Sequence, residues 1–149
     1  MRLHRGDLAP IAFGALLGLG GYTVHYAEGL SYLSSKPEAC VNCHVMRDVY
    51  DSWRKSTHHA VARCVDCHLP HDFVGKYAAK IRNGYFHSKG FTLQDFPEPI
   101  RITPPNAAIL HRNCVECHED LVSGILTAHG THPEEATCVR CHRTVGHGG

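Results

Sequence analysis

The residues of this chain that can do chemistry are concentrated in four copies of one short pattern, in which two cysteines are separated by two residues and followed by a histidine. The copies CVNCH, CVDCH, CVECH and CVRCH begin at Cys40, Cys64, Cys114 and Cys138. Thiols at this spacing can hold structural zinc, form disulfides, or form two thioether bonds to one porphyrin. Only the first copy has a methionine two residues after its histidine, at Met46.

The histidine that ends each copy distinguishes between these possibilities. Twenty residues separate Cys43 from Cys64 and Cys117 from Cys138, a spacing compatible with two CxxC pairs that share one Zn²⁺. Zinc does not need a histidine at this position, whereas the c-type haem attachment motif requires one. We therefore predict four covalently attached c-type haems, with zinc and disulfides as the alternatives. The attachment residues are Cys40, Cys43, Cys64, Cys67, Cys114, Cys117, Cys138 and Cys141.

Four haem irons offer two axial positions each, and histidine is the usual ligand. The motifs themselves supply His44, His68, His118 and His142. We predict His59 and His147 as further ligands, because the first lies five residues before Cys64 and the second five residues after His142. Other histidines remain possible ligands, namely His58, His71, His111, His129 and His132. His4 and His25 border an apolar segment and receive no ligand role.

So many haems in 149 residues leave too little chain for an ordinary hydrophobic core. The sequence therefore predicts a mainly α fold in which short helices and loops, with little regular structure, wrap the porphyrins, and which is largely unfolded without haem. The equal spacing of 24 residues from Cys40 to Cys64 and from Cys114 to Cys138 predicts two dihaem modules, 31–94 and 107–149. The proline-rich connector 95–106 is expected to be extended rather than helical, and can also serve as a docking surface.

The segment from Leu8 to Tyr26 contains 19 residues without Asp, Glu, Lys or Arg, close to the length that crosses a bilayer. Arg2 and Arg5 precede it, which favours a cytoplasmic N-terminus. We predict an uncleaved signal anchor over residues 1–30, passing once through the bacterial inner membrane, and a periplasmic tetrahaem domain over 31–149. A cleaved secretory signal is the alternative, although no convincing A-x-A site follows the span.

The balance of charge gives no indication of nucleic-acid binding. The formal net charge is +1, and the sequence has no phosphate-binding glycine loop. A haem chain fixed to a membrane is suited to moving electrons between the quinone pool and a periplasmic protein. A tethered electron carrier that takes electrons from another cytochrome, and never contacts quinol, is the alternative.

The order of the apolar segment, CVNCHVM, HAVARCVDCHLPH and CVRCHRTVGH resembles the NapC/NirT-type tetrahaem quinol dehydrogenases over nearly the whole chain. Within that family the chain is most similar to the NrfH-type small membrane subunits of cytochrome c nitrite reductase. The resemblance implies a quinol dehydrogenase that oxidises menaquinol at the first haem. It also implies a hetero-oligomer with a periplasmic multihaem nitrite reductase that makes ammonium. A nitrate or N-oxide reductase is the alternative partner.

The resemblance also implies residue roles. Met46 matches the axial ligand of the first haem, in place of His44; the alternative is that His44 binds iron and Met46 only packs. A thioether ligand raises the reduction potential of the iron. Lys80 matches the lysine of the family's quinol site, and a lipid-headgroup contact is its alternative role. The family's acidic residue falls at His87, which can accept a proton or ligate the first haem, and Asp95 is the alternative acid.

Local patterns predict the element that carries these residues. We expect Asp72 to cap a helix that has Phe73, Tyr77 and Ile81 on one face, ends at Gly84 and lies along the membrane interface. We also expect a partner side chain to complete the second haem.

Overall fold

A computed structural model describes residues 5–129 and 137–147, apart from the side chains of residues 5–7 and 125–129. The described residues are mainly helical and include no β-strand, which confirms the predicted fold class. The helices are α1 (Arg5–Tyr26), α2 (Arg47–Arg54), α3 (Cys64–His68), α4 (Phe73–Leu93), α5 (Pro104–Cys117) and α6 (Glu119–His129). Short 3₁₀ helices cover Gly29–Leu33, Pro37–Asn42, His44–Met46 and Cys138–Arg140.

The chain divides into two compact units, Met1–Ser34 and Ser35–Gly149. The first unit contains α1, whose segment Leu8–Tyr26 is long and apolar enough to cross a membrane. No other helix among the described residues meets that criterion. Inside α1, the Thr23 hydroxyl donates to the Leu19 carbonyl at 2.7 Å, so this polar side chain is satisfied within the helix.

The second unit is built around the packing of α3 against α5. The buried apolar residues of the described chain are Val65 and Leu69, and Asn113 of α5 is buried beside them. The Asn113 side-chain amide donates to three backbone carbonyls at the end of α3, those of Asp66, Cys67 and Leu69, at 3.1, 3.0 and 2.8 Å. These carbonyls lie at a helix C-terminus, where many have no partner within the helix. One side chain therefore fixes the second haem-attachment motif against the third.

Helix α4 begins as predicted and ends later than predicted. The Asp72 carboxylate accepts from the Gly75 backbone N–H at 2.6 Å, an N-cap that satisfies one of the free N–H groups of the first turn. The predicted end at Gly84 is wrong, because the helix continues to Leu93 and stops where Gln94 adopts a left-handed φ of 54°. A glycine inside a helix costs only about 1 kcal/mol relative to alanine. The neighbouring Asn83 also accepts from Asn106 at 3.1 Å, which holds this part of α4 in place.

The connector is non-helical only in its first part. Residues 95–103 form no helix, as predicted, but the expectation is wrong for 104–106 because α5 begins at Pro104. Prolines occupy the first positions of this helix, where a backbone N–H needs no helical partner and the fixed φ of proline suits the helix.

Candidate haem centres and quinol site

The four CxxCH motifs are neighbours in the order in which they occur in the chain. The Cys40 and Cys64 thiols hydrogen-bond each other, which lowers the pKa of Cys40 to about 7 and raises that of Cys64. Thiols of the later motifs are close enough to interact electrostatically, and desolvation raises the pKa of Cys67 and Cys114. The interacting pairs are Cys40–Cys64, Cys67–Cys117, Cys67–Cys114 and Cys114–Cys138. These contacts connect the first motif to the second, the second to the third and the third to the fourth.

The eight cysteines lie within the described residues, and no disulfide joins any two of them there. In the ranges 5–129 and 137–147, no three His, Cys, Asp or Glu residues are grouped so that they could hold a metal ion. Among these residues the cysteines are thus not grouped as in a closed four-ligand zinc site. Pairs of free thiols, each followed by a histidine, fit thioether attachment of porphyrin.

The motif histidine His68 lies opposite His147. Their ring centroids are 5.9 Å apart and their planes differ by 17°. A metal–imidazole bond is about 2 Å long, so two imidazoles on opposite sides of one metal ion have centroids about 6 Å apart. Burial lowers the pKa of His68, and the charge of His147 lowers it further. A lowered pKa keeps the imidazole neutral, which is the form that binds metal.

A second histidine pair joins His118 of the third motif to His58, with ring centroids 6.1 Å apart and planes at 63°. The predicted ligand His59 points elsewhere, because its ring packs edge-on against Trp53 at a centroid distance of 4.8 Å and an angle of 67°. The Trp53 indole N–H donates to the Ala62 carbonyl at 3.1 Å, which fixes the loop that carries both histidines. The structure thus brings His58, rather than His59, to a motif histidine.

The remaining candidate histidines have other surroundings. His71 uses both ring nitrogens, since Nε2 is 2.9 Å from the Asp66 carbonyl and Nδ1 is 3.1 Å from the Glu116 carboxylate. The hydrogen bond to that carbonyl and the Glu116 charge raise the pKa of His71. His111 Nδ1 lies 3.7 Å from Cys138 Sγ. His4 and His132 lie outside the described residues, and of His129 only the backbone, at the end of α6, is described.

The first and fourth motifs are 3₁₀ turns rather than α-helix. His44 and Met46 are the first and last residues of one three-residue turn, with Met46 half-buried and His44 exposed. Two residues this close compete for one side of a haem. His142 follows the turn Cys138–Arg140, donates its backbone N–H to the Cys138 carbonyl at 3.0 Å and is exposed.

Lys80 lies in the middle of α4 and is buried, with 4% of its surface exposed. Its Nζ is 5.8 Å from the centroid of the Tyr77 ring. Burial lowers the pKa of Lys80, the charge of Lys76 lowers it further, and interaction with the Cys40 thiol acts in the opposite direction. The predicted quinol-site lysine is therefore close enough to Cys40, an attachment cysteine of the first motif, for their charges to interact.

His87 follows Lys80 by seven residues, two helical turns, and so shares its face of α4. Desolvation lowers the pKa of His87. The alternative acid, Asp95, has its carboxylate 3.9 Å from Lys89 Nζ. One face of α4 therefore carries both of the residues that the family resemblance selects, Lys80 and His87.

Sequence reasoning did not identify Asn113 and Trp53 and did not favour His58. Asn113 directly precedes the third motif, but nothing in its sequence context shows that it reaches across to α3. Trp53 is the only tryptophan of the chain, and its position a few residues before the adjacent histidines was the available signal.

Comparison with known proteins agrees with the attachment motifs. Residues 4–94 match the model of the NapC/NirT cytochrome c family, N-terminal region. The chain is 41% identical to the cytochrome c-type protein NrfH of Wolinella succinogenes, covering 93% of this chain and 83% of the relative. It is 29% identical to the cytochrome c nitrite reductase subunit NrfH of Nitratidesulfovibrio vulgaris, covering 90% and 80%.

A solved structure is similar as well. A chain in the crystal structure of the cytochrome c nitrite reductase NrfHA complex bound to the HQNO inhibitor superposes with a TM-score of 0.62 and 26% identity. The alignment covers 91% of this chain and 88% of that chain.

Proposed function

Because the chain belongs to the NapC/NirT cytochrome c family, we propose that it is a quinol dehydrogenase subunit that oxidises menaquinol and delivers the electrons to a periplasmic multihaem cytochrome c nitrite reductase. The observation that carries the quinol part is that Lys80 is buried and close enough to Cys40 of the first attachment motif for their charges to interact. The partner is supported by the similarity to NrfH over most of both chains and to a chain of the NrfHA complex.

The haems supply the redox chemistry, because they take up and release electrons one at a time. We assign His68 and His147 to the second haem and His118 and His58 to the third, on the spacing of their rings. The eight cysteines tether the four porphyrins. Met46 is assigned to the first haem, with His44 as the competing ligand, and His142 to the fourth. His59 is assigned no iron, because its ring packs on Trp53.

With this assignment the second haem needs no axial ligand from a partner, since His147 already faces His68. We propose instead that the partner subunit completes the fourth haem. The exposed position of His142 supports contact between this haem and another protein.

Lys80 and His87 are the candidate catalytic residues. Oxidation of a quinol releases two protons from its two hydroxyl groups, so the site needs a hydrogen-bond donor to orient an oxygen and a group that accepts a proton. The buried Lys80 ammonium supplies the donor. His87 supplies the acceptor, because its lowered pKa keeps one ring nitrogen unprotonated near neutral pH. The alternative role of His87 is to ligate the first haem. The alternative role of Lys80 is to contact a lipid headgroup.

The orientation follows from the sequence around the span. Arg2 and Arg5 precede Leu8–Tyr26, which supports a cytoplasmic N-terminus and a haem domain, 31–149, on the periplasmic side. That placement suits the chemistry, because quinol dissolves in the bilayer and the proposed partner is periplasmic.

The test is stopped-flow haem absorbance of the detergent-purified, haem-loaded protein mixed with a menaquinol analogue. We expect rapid reduction of the wild type, inhibition by HQNO, and reduction slower by about ten- to hundredfold for Lys80→Ala, because a hydrogen bond from a charged group contributes about 1.5–3 kcal/mol. Lys55→Ala is the matched control, because Lys55 is exposed and lies after α2. Protein that dithionite reduces but quinol does not would exclude quinol oxidation by the isolated subunit and favour a tethered electron carrier.

A further inference from the structure

Helix α4 has a second face that the quinol site does not use. Val74, Ile81 and Tyr85 are 76, 74 and 64% exposed, and their spacing places them along one side of the helix. We call these three residues the outer face of α4. The opposite side contacts the rest of its unit, because Lys80 is buried near Cys40 and Asn83 bonds Asn106. The outer face therefore points away from the haem-attachment motifs.

The charge of α4 is all of one sign. Its 21 residues include four basic side chains and no Asp or Glu. The Arg82 guanidinium lies 5.7 Å from the Phe86 ring centroid. Lys89 forms a long, exposed ion pair with Asp95, and this pair neutralises the charge of Lys89 only weakly. Exposed aromatic and aliphatic side chains, accompanied by basic residues, are the composition of helices that lie in a membrane surface. Anionic lipid headgroups attract such basic residues.

The short segment that joins α1 to the second unit favours a bilayer over a protein as the occupant of the outer face. The second unit begins at Ser35, nine residues after the last residue of α1. Even a fully extended chain of that length spans only about 30 Å. With α1 in a membrane, the first residue of the second unit, Ser35, is thus at most this far from the end of the span.

We propose that the outer face of α4 binds the surface of a bilayer that contains anionic lipid, with its apolar side chains at the acyl boundary and Arg82 and Lys89 on the lipid phosphates. The contact does not depend on quinol oxidation. It adds a second membrane attachment besides α1, and this attachment is stronger on membranes that contain anionic lipid.

The experiment is hydroxyl-radical footprinting with mass spectrometry on the full haem-loaded chain in nanodiscs. One set of nanodiscs contains phosphatidylcholine alone, and the other contains phosphatidylcholine with phosphatidylglycerol. We expect several-fold less oxidation of Ile81 and Tyr85 in the anionic nanodiscs. Leu121 of α6, 67% exposed, is the internal control and should be oxidised equally in both. The double variant Arg82→Gln with Lys89→Gln should lose the difference, and Lys55→Gln should keep it.

Three results would overturn the proposal. Equal oxidation of the outer face in the two kinds of nanodisc would show that lipid charge has no role. Protection that increases with protein concentration in detergent, without lipid, would identify a second copy of this chain as the occupant. Protection that appears only when the nitrite reductase is added would identify that protein instead.

Discussion

At the scale of single residues, Asn113 makes the contact on which the placement of the haem-attachment motifs depends most. Its amide donates to three carbonyls of the α3 end, and it is 4% exposed. Replacement by alanine removes the donor and leaves buried carbonyls without it, a loss of about 1–3 kcal/mol in the free energy of unfolding. Asn113→Asp should destabilise more, because its carboxylate would face three carbonyl oxygens.

The measurement for Asn113 is denaturant unfolding of the holoprotein, followed by haem absorbance. Asn106→Ala on the same helix is the matched control, since Asn106 donates one part-buried hydrogen bond to Asn83. We expect the order of stability wild type, Asn106→Ala, Asn113→Ala. Equal effects of the two alanine variants would contradict the special role of Asn113.

The adjacent histidines His58 and His59 give a prediction about ligation. His58 faces His118 at 6.1 Å between ring centroids, whereas His59 packs on Trp53 at 4.8 Å. His58→Ala should therefore convert the third haem to a high-spin form and leave the spin states of the other three haems as they are in the wild type. His59→Ala should keep the ligation of the wild type and lose only the aromatic contact, about 0.5–1.5 kcal/mol of stability. Electron paramagnetic resonance of the oxidised proteins distinguishes the two outcomes, and a high-spin signal from His59→Ala alone would reverse the assignment.

At the scale of elements, the N-terminus of α4 is fixed by one carboxylate. Asp72 accepts from the Gly75 N–H, and a Cβ at Gly75 would collide with that carboxylate. Asp72→Ala should cost about 0.5–2 kcal/mol, the range for loss of an N-cap, and should fray the turn that precedes Lys80. Asp72→Asn is the control, because its side-chain oxygen still accepts. Hydrogen exchange of residues 73–77 should accelerate in Asp72→Ala but not in Asp72→Asn, and unchanged exchange in both would show that the cap contributes nothing.

The elements that depend on local sequence were predictable, and those that depend on tertiary contacts were not. The CxxCH motifs, the apolar span and the Asp72 cap depend on short-range chemistry, so their spacing was sufficient to predict them. The end of α4 depends on long-range packing, because contacts such as that of Asn83 with Asn106 extend the helix through Gly84. The prolines at 104 and 105 predict an extended segment, but at the start of a helix they have no helical hydrogen bond to break.

The residues of the candidate site were likewise predictable where they belong to a local motif. The motif cysteines and histidines follow from the pattern, and Lys80 follows from the family resemblance. The choice between His58 and His59 does not, since two adjacent residues differ in direction rather than in spacing, and Trp53 sets that direction through a tertiary contact.

At the scale of the whole molecule, the described chain buries few apolar side chains of its own. Val65 and Leu69 are its buried apolar residues, and both belong to the segment of the second motif. The second motif also contacts its neighbours on both sides, the first through Cys64 with Cys40 and the third through Cys67 with Cys114. The four motifs thus form a row in chain order, and among the described residues the fourth motif contacts only the third and lies at the end of this row. Stability should therefore depend unequally on the four haems.

Removal of single haems tests this dependence. In Cys64→Ser with Cys67→Ser the second haem cannot attach, and we expect the second unit, Ser35–Gly149, to lose its fold, because cofactor binding and folding are coupled and this motif joins the others. In Cys138→Ser with Cys141→Ser the fourth haem is lost from the end of the row, and the other three should remain bound in a protease-resistant unit. Haem content per chain and limited proteolysis of membrane-extracted protein measure both results. Three retained haems in both variants would show that no motif holds the unit together more than another.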